Sequence, residues 1–329
     1  MLMLHRTKKN LFIILNPFQL MCAQEARDKF CRGEDNYLVI IDRNGPASRE
    51  YRQKNLVLDA AWTLVSRHSE PKKKSVLRIP VRLWNTFQIW KNMRGAKGKV
   101  FLRDPYLNWF RMLGRIFGDE VTWLDDGAAS IFILPQFMAA GYLDAPNETT
   151  PKYFSVFSNP KIEAQSCGAV LRNEFSSLRT SRNPNQVVVP KKAFFIGQWL
   201  SERGGVKQDE ELTVLTMAVG ELSDWEIVYV PHRHESAEKL ARIQEFMPVQ
   251  AFEKSMEETL LSGEELPQLL ISWYSTALFT LGQLLPECER LSIQVPLTAA
   301  SDKQSSEWSL VYQALRDDDV EVLDYNARL

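Results

Sequence analysis

Short apolar runs alternate with amphipathic stretches along nearly the whole chain, and this alternation constrains the fold more than any other feature. Apolar runs this short fit strands buried on both faces, and the amphipathic stretches between them fit crossover helices. Strands are expected at Leu11–Leu15, Tyr37–Asp42, Val76–Ile79, Val100–Leu102 and Val121–Leu124. Helices are expected between them, near Phe18–Phe30, Val81–Met93, Leu107–Phe117 and Ile131–Tyr142. A stretch without helical period, Ser181–Lys192, carries two prolines and two asparagines and reads as a linker. The alternation then restarts, with strands at Ala193–Ile196, Glu226–Val230, Leu269–Ser272 and Leu291–Val295. Helices there are expected at Asp209–Leu222, Ser236–Phe246, Thr276–Leu285 and Trp308–Leu315. The pattern implies an α/β chain of two Rossmann-like domains with parallel sheets facing a central cleft, residues 1–185 and 186–329.

Charge divides along the same line. The net charge is −1, yet residues 1–190 hold 28 Lys+Arg against 17 Asp+Glu, and the remainder holds 12 against 24. The first half therefore suits an anionic partner and the second does not. No apolar stretch nears the roughly 18–20 residues that span a bilayer. His5, Arg6, Lys8 and Lys9 before LFIIL imitate a leader, but Asn16-Pro17 breaks the run, so a first strand is expected instead. Cys22, Cys31, Cys167 and Cys288 show no C-x-x-C spacing and read as core thiols in a reducing compartment. The expected location is cytoplasmic.

In open parallel sheets, ligands gather beyond the carboxyl ends of the strands. Three polar clusters fall there. Asp125-Asp126-Gly127 follows Val121–Leu124; paired acids can raise one pKa and prepare a general base, or they can simply make a turn with an N-cap. Pro231-His232-Arg233-His234-Glu235 follows Glu226–Val230 and holds two of the chain's four histidines. An imidazole there could serve a leaving group and Arg233 an anion, or the histidines could cap a helix. Ser275-Thr276 opens an apolar helix after Leu269–Ser272, which suits a phosphate or an ordinary cap. Gly197-Gln198, after Ala193–Ile196, is a fourth candidate.

Other signals carry less. Asp317-Asp318-Asp319 has a D-x-D spacing but reads as a solvated turn, and no metal ligand set or cofactor is expected. Neither a P-loop nor a dinucleotide fingerprint occurs. Residues 71–117 hold twelve Lys+Arg and one acid, Asp104, interleaved with Trp84, Phe87, Trp90 and other aromatics. Such a segment could meet nucleic acid, an anionic glycan or a membrane surface, or be a solvated face over core aromatics.

Taken in order, Asp125-Asp126-Gly127, His232 and Ser275-Thr276 resemble the motif set of bacterial sialyltransferases of the lipooligosaccharide and capsular polysialic-acid types. Ile13–Leu20, with Asn16 and Gln19, resembles that family's opening strand and turn, and Phe195–Gln198 its entry into the nucleotide domain. One departure is that Arg233, not proline, follows His232, which leaves His232 or His234 as the catalytic histidine. The resemblance implies a GT-B fold and an inverting, metal-independent transfer of sialic acid, or a related nonulosonic acid, from a CMP-activated donor to a surface-glycan hydroxyl. It further implies Asp125 as base, Asp126 and Gly127 as its support, His232 at the leaving group with Arg233 beside it, and Ser275, Thr276, Gly197 and Gln198 around the nucleotide. The partners implied are a CMP-sugar and a glycan or lipid-linked acceptor, with peripheral contact at the inner membrane face and no nucleic acid. Pseudaminic, legionaminic or Kdo donors, or a non-catalytic scaffold of the same fold, fit the same motifs.

Overall fold

The computed structural model describes residues 9–42, 59–71, 75–103, 105, 107–157, 159–296 and 301–326. The chain divides into two units, Met1–Ser155 with Pro160–Leu178, and Val156–Asn159 with Arg179–Leu329.

The first unit is built on seven parallel strands: β1 (Lys9–Ile14), β2 (Asp35–Asp42), β3 (Leu64–Ser69), β4 (Gly98–Leu102), β5 (Gly118–Leu124), β6 (Tyr153–Ser155) and β7 (Val170–Arg172). Their order is β3-β2-β1-β4-β5-β6-β7. All six residues of β1 are buried, as a central strand covered on both faces requires. On one face Leu11, Ile13, Val39, Val100 and Leu102 pack against Phe110 and Leu113 of the helix Asn108–Phe117. On the other, Phe12 stacks on Phe101 with centroids 4.4 Å apart. Asn16 caps the helix Pro17–Phe30 by accepting from Gln19 N at 2.9 Å, and Pro17 takes the first helical position, where no N–H is needed.

The second unit has five parallel strands: β8 (Val187–Ile196), β9 (Glu226–Val230), β10 (Glu265–Ser272), β11 (Glu289–Ile293) and β12 (Glu321–Leu323), ordered β12-β11-β10-β8-β9. In both sheets the strand order reverses beside the first strand, between β1 and β4 and between β8 and β10. Ligand crevices form beyond the carboxyl ends at such reversals.

Several expectations need correction. Val76–Ile79 is no strand: Val76 and Leu77 precede the helix Arg78–Met93, which admits Pro80 in its first turn. The linker expected at Ser181–Lys192 ends inside β8. Three strands were not foreseen in the first unit (β3, β6, β7) and one in the second (β12). Asp318 is no solvated turn residue: it is buried and accepts from Arg290 Nη1 at 2.6 Å. Cys22, Cys31 and Cys288 are buried, whereas Cys167 is exposed. Burial pushes the Cys31 and Cys288 thiols up to about 12, so neither supplies a thiolate at neutral pH. Lys72–Lys74, Asp104 and Tyr106 lie outside the described residues, as do His5, Arg6 and Lys8.

Candidate functional site

In the first unit, the residues singled out in sequence converge at the carboxyl ends of β1 and β5. Gly127 turns the chain at φ 64°, a left-handed conformation that glycine adopts without strain. The turn does not use the acids as helix caps. The helix Ala129–Ala139 has no side-chain cap, and Ser130 Oγ instead accepts from Asp126 N at 3.1 Å. The Asp126 carboxylate reaches sideways: Oδ1 accepts from Gln19 Nε2 at 2.8 Å, and Oδ2 pairs with Arg103. Gln19 is itself buried, and its Oε1 accepts from Leu15 N at 2.7 Å. One glutamine thus ties the end of β1 to the loop after β5. Arg103, which follows β4, supplies the cation that allows a carboxylate to sit there.

Asp125 lies deeper. It has no exposed surface, and its Oδ1 accepts from Ser155 Oγ, at the end of β6, at 2.8 Å. Asn173, just past β7, donates its N–H to Ser155 O at 2.6 Å and extends this polar row along the sheet edge. Arg103, Ser155 and Asn173 were not foreseen. They lie on strand ends far apart in sequence, and only the sheet order makes them neighbours of the acids.

The second unit gathers its candidates at the ends of β8, β9 and β10. Gln198 Oε1 accepts from Tyr274 N at 2.9 Å, which links the loop after β8 to the one after β10. Ser275 caps the helix Thr276–Leu284, its Oγ accepting from Ala277 N at 3.2 Å. The cap expected as the plainer alternative is therefore present. The helix still directs its N-terminal end to the strand-end side, where an anion is favoured.

His232 stacks on Trp199 with centroids 6.0 Å apart and planes within 3°. Its Nδ1 accepts from His234 N at 3.3 Å, which places the neutral ring's proton on Nε2. Burial, and then the nearby His234 and Arg233, lower its pKa from 6.5 to about 4. At neutral pH His232 is an uncharged hydrogen-bond donor. His234 is more exposed, and its Nε2 accepts from Arg233 Nε at 3.1 Å.

Beneath these loops sits a buried charge network absent from the sequence reading. Lys239 Nζ lies 2.9 Å from Glu235 Oε1 and 3.7 Å from Glu202 Oε2, pairs with Glu211, and donates to Gln198 O at 2.9 Å. Glu235 also accepts from Tyr229 Oη at 2.6 Å and from His232 N at 2.5 Å. Burial pushes the Glu211 and Glu235 carboxyls up, and Lys239 offsets this only partly. Burial would pull Lys239 down, but Glu235 and Glu211 outweigh it and hold the ammonium above its usual range. The difference follows from one cation being shared among three acids. Gly197 is glycine for a steric reason. A Cβ there would come within 2.5 Å of Glu235 Oε2 and 2.6 Å of Tyr229 Oη. The Glu235–Lys239 spacing of four on or beside a helix was the one readable trace of this network.

Among the described residues, no group of three or more His, Cys, Asp or Glu is placed to hold a metal ion. No helix among them is long and apolar enough to cross a membrane.

No protein-family model matches this chain, and no curated protein matches it. Solved structures do. A UDP-N-acetylglucosamine 2-epimerase is 9% identical at a TM-score of 0.55, over 98% of this chain and 85% of its own. An S. aureus MnaA–UDP complex is 8% identical at 0.50, over 94% and 87%. An α/β-galactoside α-2,3-sialyltransferase from the luminous marine bacterium Photobacterium phosphoreum is 10% identical at 0.49, over 96% and 98%. At such identities the likeness is one of fold, and this chain has the α/β fold of the GT-B type, with parallel sheets of seven and five strands.

Proposed function

We propose that this protein is an inverting glycosyltransferase that moves sialic acid, or a related nonulosonic acid, from a CMP-activated donor to a hydroxyl of a glycan or lipid-linked acceptor. The observation that carries the reading is positional. Asn16 and Gln19 stand at the reversal of the first sheet, with Asp125-Asp126-Gly127 one strand away and Gln19 bonded to Asp126, and Gly197-Gln198, His232 and Ser275-Thr276 stand around that of the second. A nucleotide-sugar also suits the fold by analogy, since the similar structures include a UDP-sugar epimerase and a UDP complex.

In this reading the first unit serves the acceptor and the second holds the CMP-sugar. The Asp125 carboxylate takes the proton of the acceptor hydroxyl, whose oxygen bonds to the anomeric carbon as the bond to the CMP phosphate oxygen breaks. Because Asp125 is enclosed, this step requires the Asp126-Gly127 turn to yield when acceptor binds. His232 meets the leaving phosphate as an Nε2–H donor, and the phosphate's charge raises the imidazole's pKa towards proton transfer. Ser275, Thr276 and the N-terminal end of their helix receive the same phosphate. Arg233 adds positive charge beside it. No metal is needed for one phosphodiester charge under this scheme.

The test is release of CMP from CMP-sialic acid, CMP-Kdo, CMP-pseudaminic acid and CMP-legionaminic acid, each with and without a glycan acceptor. Acceptor-dependent release from at least one donor, surviving EDTA, is expected. Release from the pseudaminic or legionaminic donor alone would fix the donor within the nonulosonic class, and release from CMP-Kdo alone would overturn that class while keeping the CMP leaving group. Nucleotide binding limited to UDP, or no turnover of any CMP-sugar, would overturn the reading. Complete loss on chelation, restored by manganese, would overturn its metal-free mechanism.

A further inference from the structure

The helix Arg78–Met93 carries its apolar residues on the wrong side for an ordinary surface helix. Asn85, Ile89 and Met93 are buried on one face. The opposite face should then be polar. Instead Ile79, Leu83, Trp84, Phe87 and Trp90 are each 50–72% exposed, and Val76 and Leu77 just before the helix are exposed as well. Seven of the thirteen exposed large hydrophobics among the described residues thus lie within fifteen positions of one another, whereas the other six are scattered. The rings form a continuous strip, with centroid spacings of 5.9 Å from Trp84 to Phe87 and 6.1 Å from Phe87 to Trp90.

Among the described residues, the exposed charges that flank the strip in sequence are cationic. Lys91, Arg94 and Lys97 are exposed at its C-terminal end. Residues 71–103 contain no acid, and Lys72-Lys73-Lys74 precede the helix in sequence. The neighbouring acid, Glu70, is buried and pairs with Arg78 and Arg82. A water-exposed stripe of Trp, Phe, Leu and Ile bordered by Lys and Arg is the pattern of a helix lying in a membrane interface. Its rings enter the boundary between headgroups and acyl chains, and its cations meet anionic headgroups. A second copy is a poorer occupant, because two-fold pairing of this face would oppose like charges.

We infer that this helix docks the protein on an anionic lipid bilayer through Trp84, Phe87 and Trp90, with Lys91 and Arg94 on the headgroups. This surface is independent of the donor assignment, so either inference can fail without the other. Sucrose-loaded vesicles of phosphatidylcholine, alone or mixed with phosphatidylglycerol, provide the test by co-sedimentation. The wild-type chain should sediment with the anionic vesicles and much less with the neutral ones. Lys91→Gln with Arg94→Gln should lower anionic-vesicle affinity about thirtyfold, since each surface cation contributes about 1 kcal/mol. Trp84→Ser, Phe87→Ser and Trp90→Ser together should abolish sedimentation while leaving the circular dichroism unchanged. Should that triple variant misfold, brominated phosphatidylglycerol provides a test on the wild type, whose tryptophan fluorescence it should quench. A wild-type chain that ignores anionic vesicles, or a folded triple variant that still sediments, would overturn the inference. So would a dimer that the triple variant dissolves in the absence of any vesicle binding, because the face would then belong to a second copy.

Discussion

The strand reversals of the two units solve the same problem with opposite charge arrangements. In the first, two adjacent acids are handled separately: Asp126 is paired by Arg103 and tethered by Gln19, while Asp125 is enclosed with Ser155. In the second, one buried lysine is shared by Glu211, Glu235 and Glu202, and the groups above it are hydrogen-bond donors and a cation: a neutral imidazole, hydroxyls, a helix N-terminus and Arg233. The first site therefore offers carboxylates, and the second offers donors. That contrast is what a base on one unit and a leaving-group site on the other would require. It also means that the first site is sensitive to single polar contacts, whereas the second rests on one buried cation.

Removing that cation should have the largest effect. Lys239→Met leaves at least two buried acids uncompensated and should destabilise the second unit by about 3–5 kcal/mol in denaturant unfolding. The double variant Lys239→Met with Glu211→Gln should lose less than the sum of the single losses. Additive losses would mean that the network is not shared. A smaller cost is expected for Gly197→Ala. Its Cβ meets carboxylate and phenol oxygens locked in the same network, so about 1–3 kcal/mol should be lost, in the range for overpacking. An unchanged unfolding midpoint would show that Glu235 and Tyr229 are free to move.

Ser275→Ala with Thr276→Ala separates cap from ligand site. If the pair receives phosphate, CMP affinity should fall by about 1–3 kcal/mol in a folded protein. A loss of stability with affinity intact would leave Ser275 a cap alone.

A further effect is read by pH. Folding holds His232 at about 4, below the ordinary 6.5, so the folded state favours the neutral ring. Its contribution to stability is present above about 6.5 and is lost as pH falls towards 4, because the unfolded chain takes up the proton first. His232→Gln should flatten the dependence of the unfolding midpoint across that window. Nitrogen-15 spectra should show an Nε2–H tautomer whose pKa rises when CMP is added. A free-state pKa near 6.5 would contradict the buried setting.

Much of this comparison was legible in sequence, and the rest was hidden for physical reasons. Short apolar runs mark β5, β8, β9 and β10, and their ends locate Asp125, Gly197, His232 and Ser275 without any knowledge of packing. β3 escaped notice because Leu64–Ser69 alternates half-buried and exposed side chains at a sheet edge and reads LVSRHS rather than as an apolar run. β6 and β7 are three residues each, too short for any period to show. Val76–Ile79 misled for the opposite reason: its apolar residues face outward, which a rule that puts hydrophobic residues inside cannot anticipate. Arg103, Ser155 and Lys239 carry no motif, because each gains its role from sheet order or helix packing rather than from spacing along the chain.

The proposed division of labour between the units is tested most directly by Asp125→Asn, with transfer rate and CMP affinity measured on the same preparation. The substitution keeps shape and the hydrogen bond from Ser155 while removing the proton acceptor. The account predicts a transfer rate lower by about 10²–10⁴-fold with CMP affinity nearly unchanged, and a milder loss for Asp126→Asn. His232→Ala should lower both rate and affinity, and His234→Ala should lower them less. Sugar transfer by Asp125→Asn at the wild-type rate would contradict the base assignment, and with it the claim that the first unit supplies the proton acceptor.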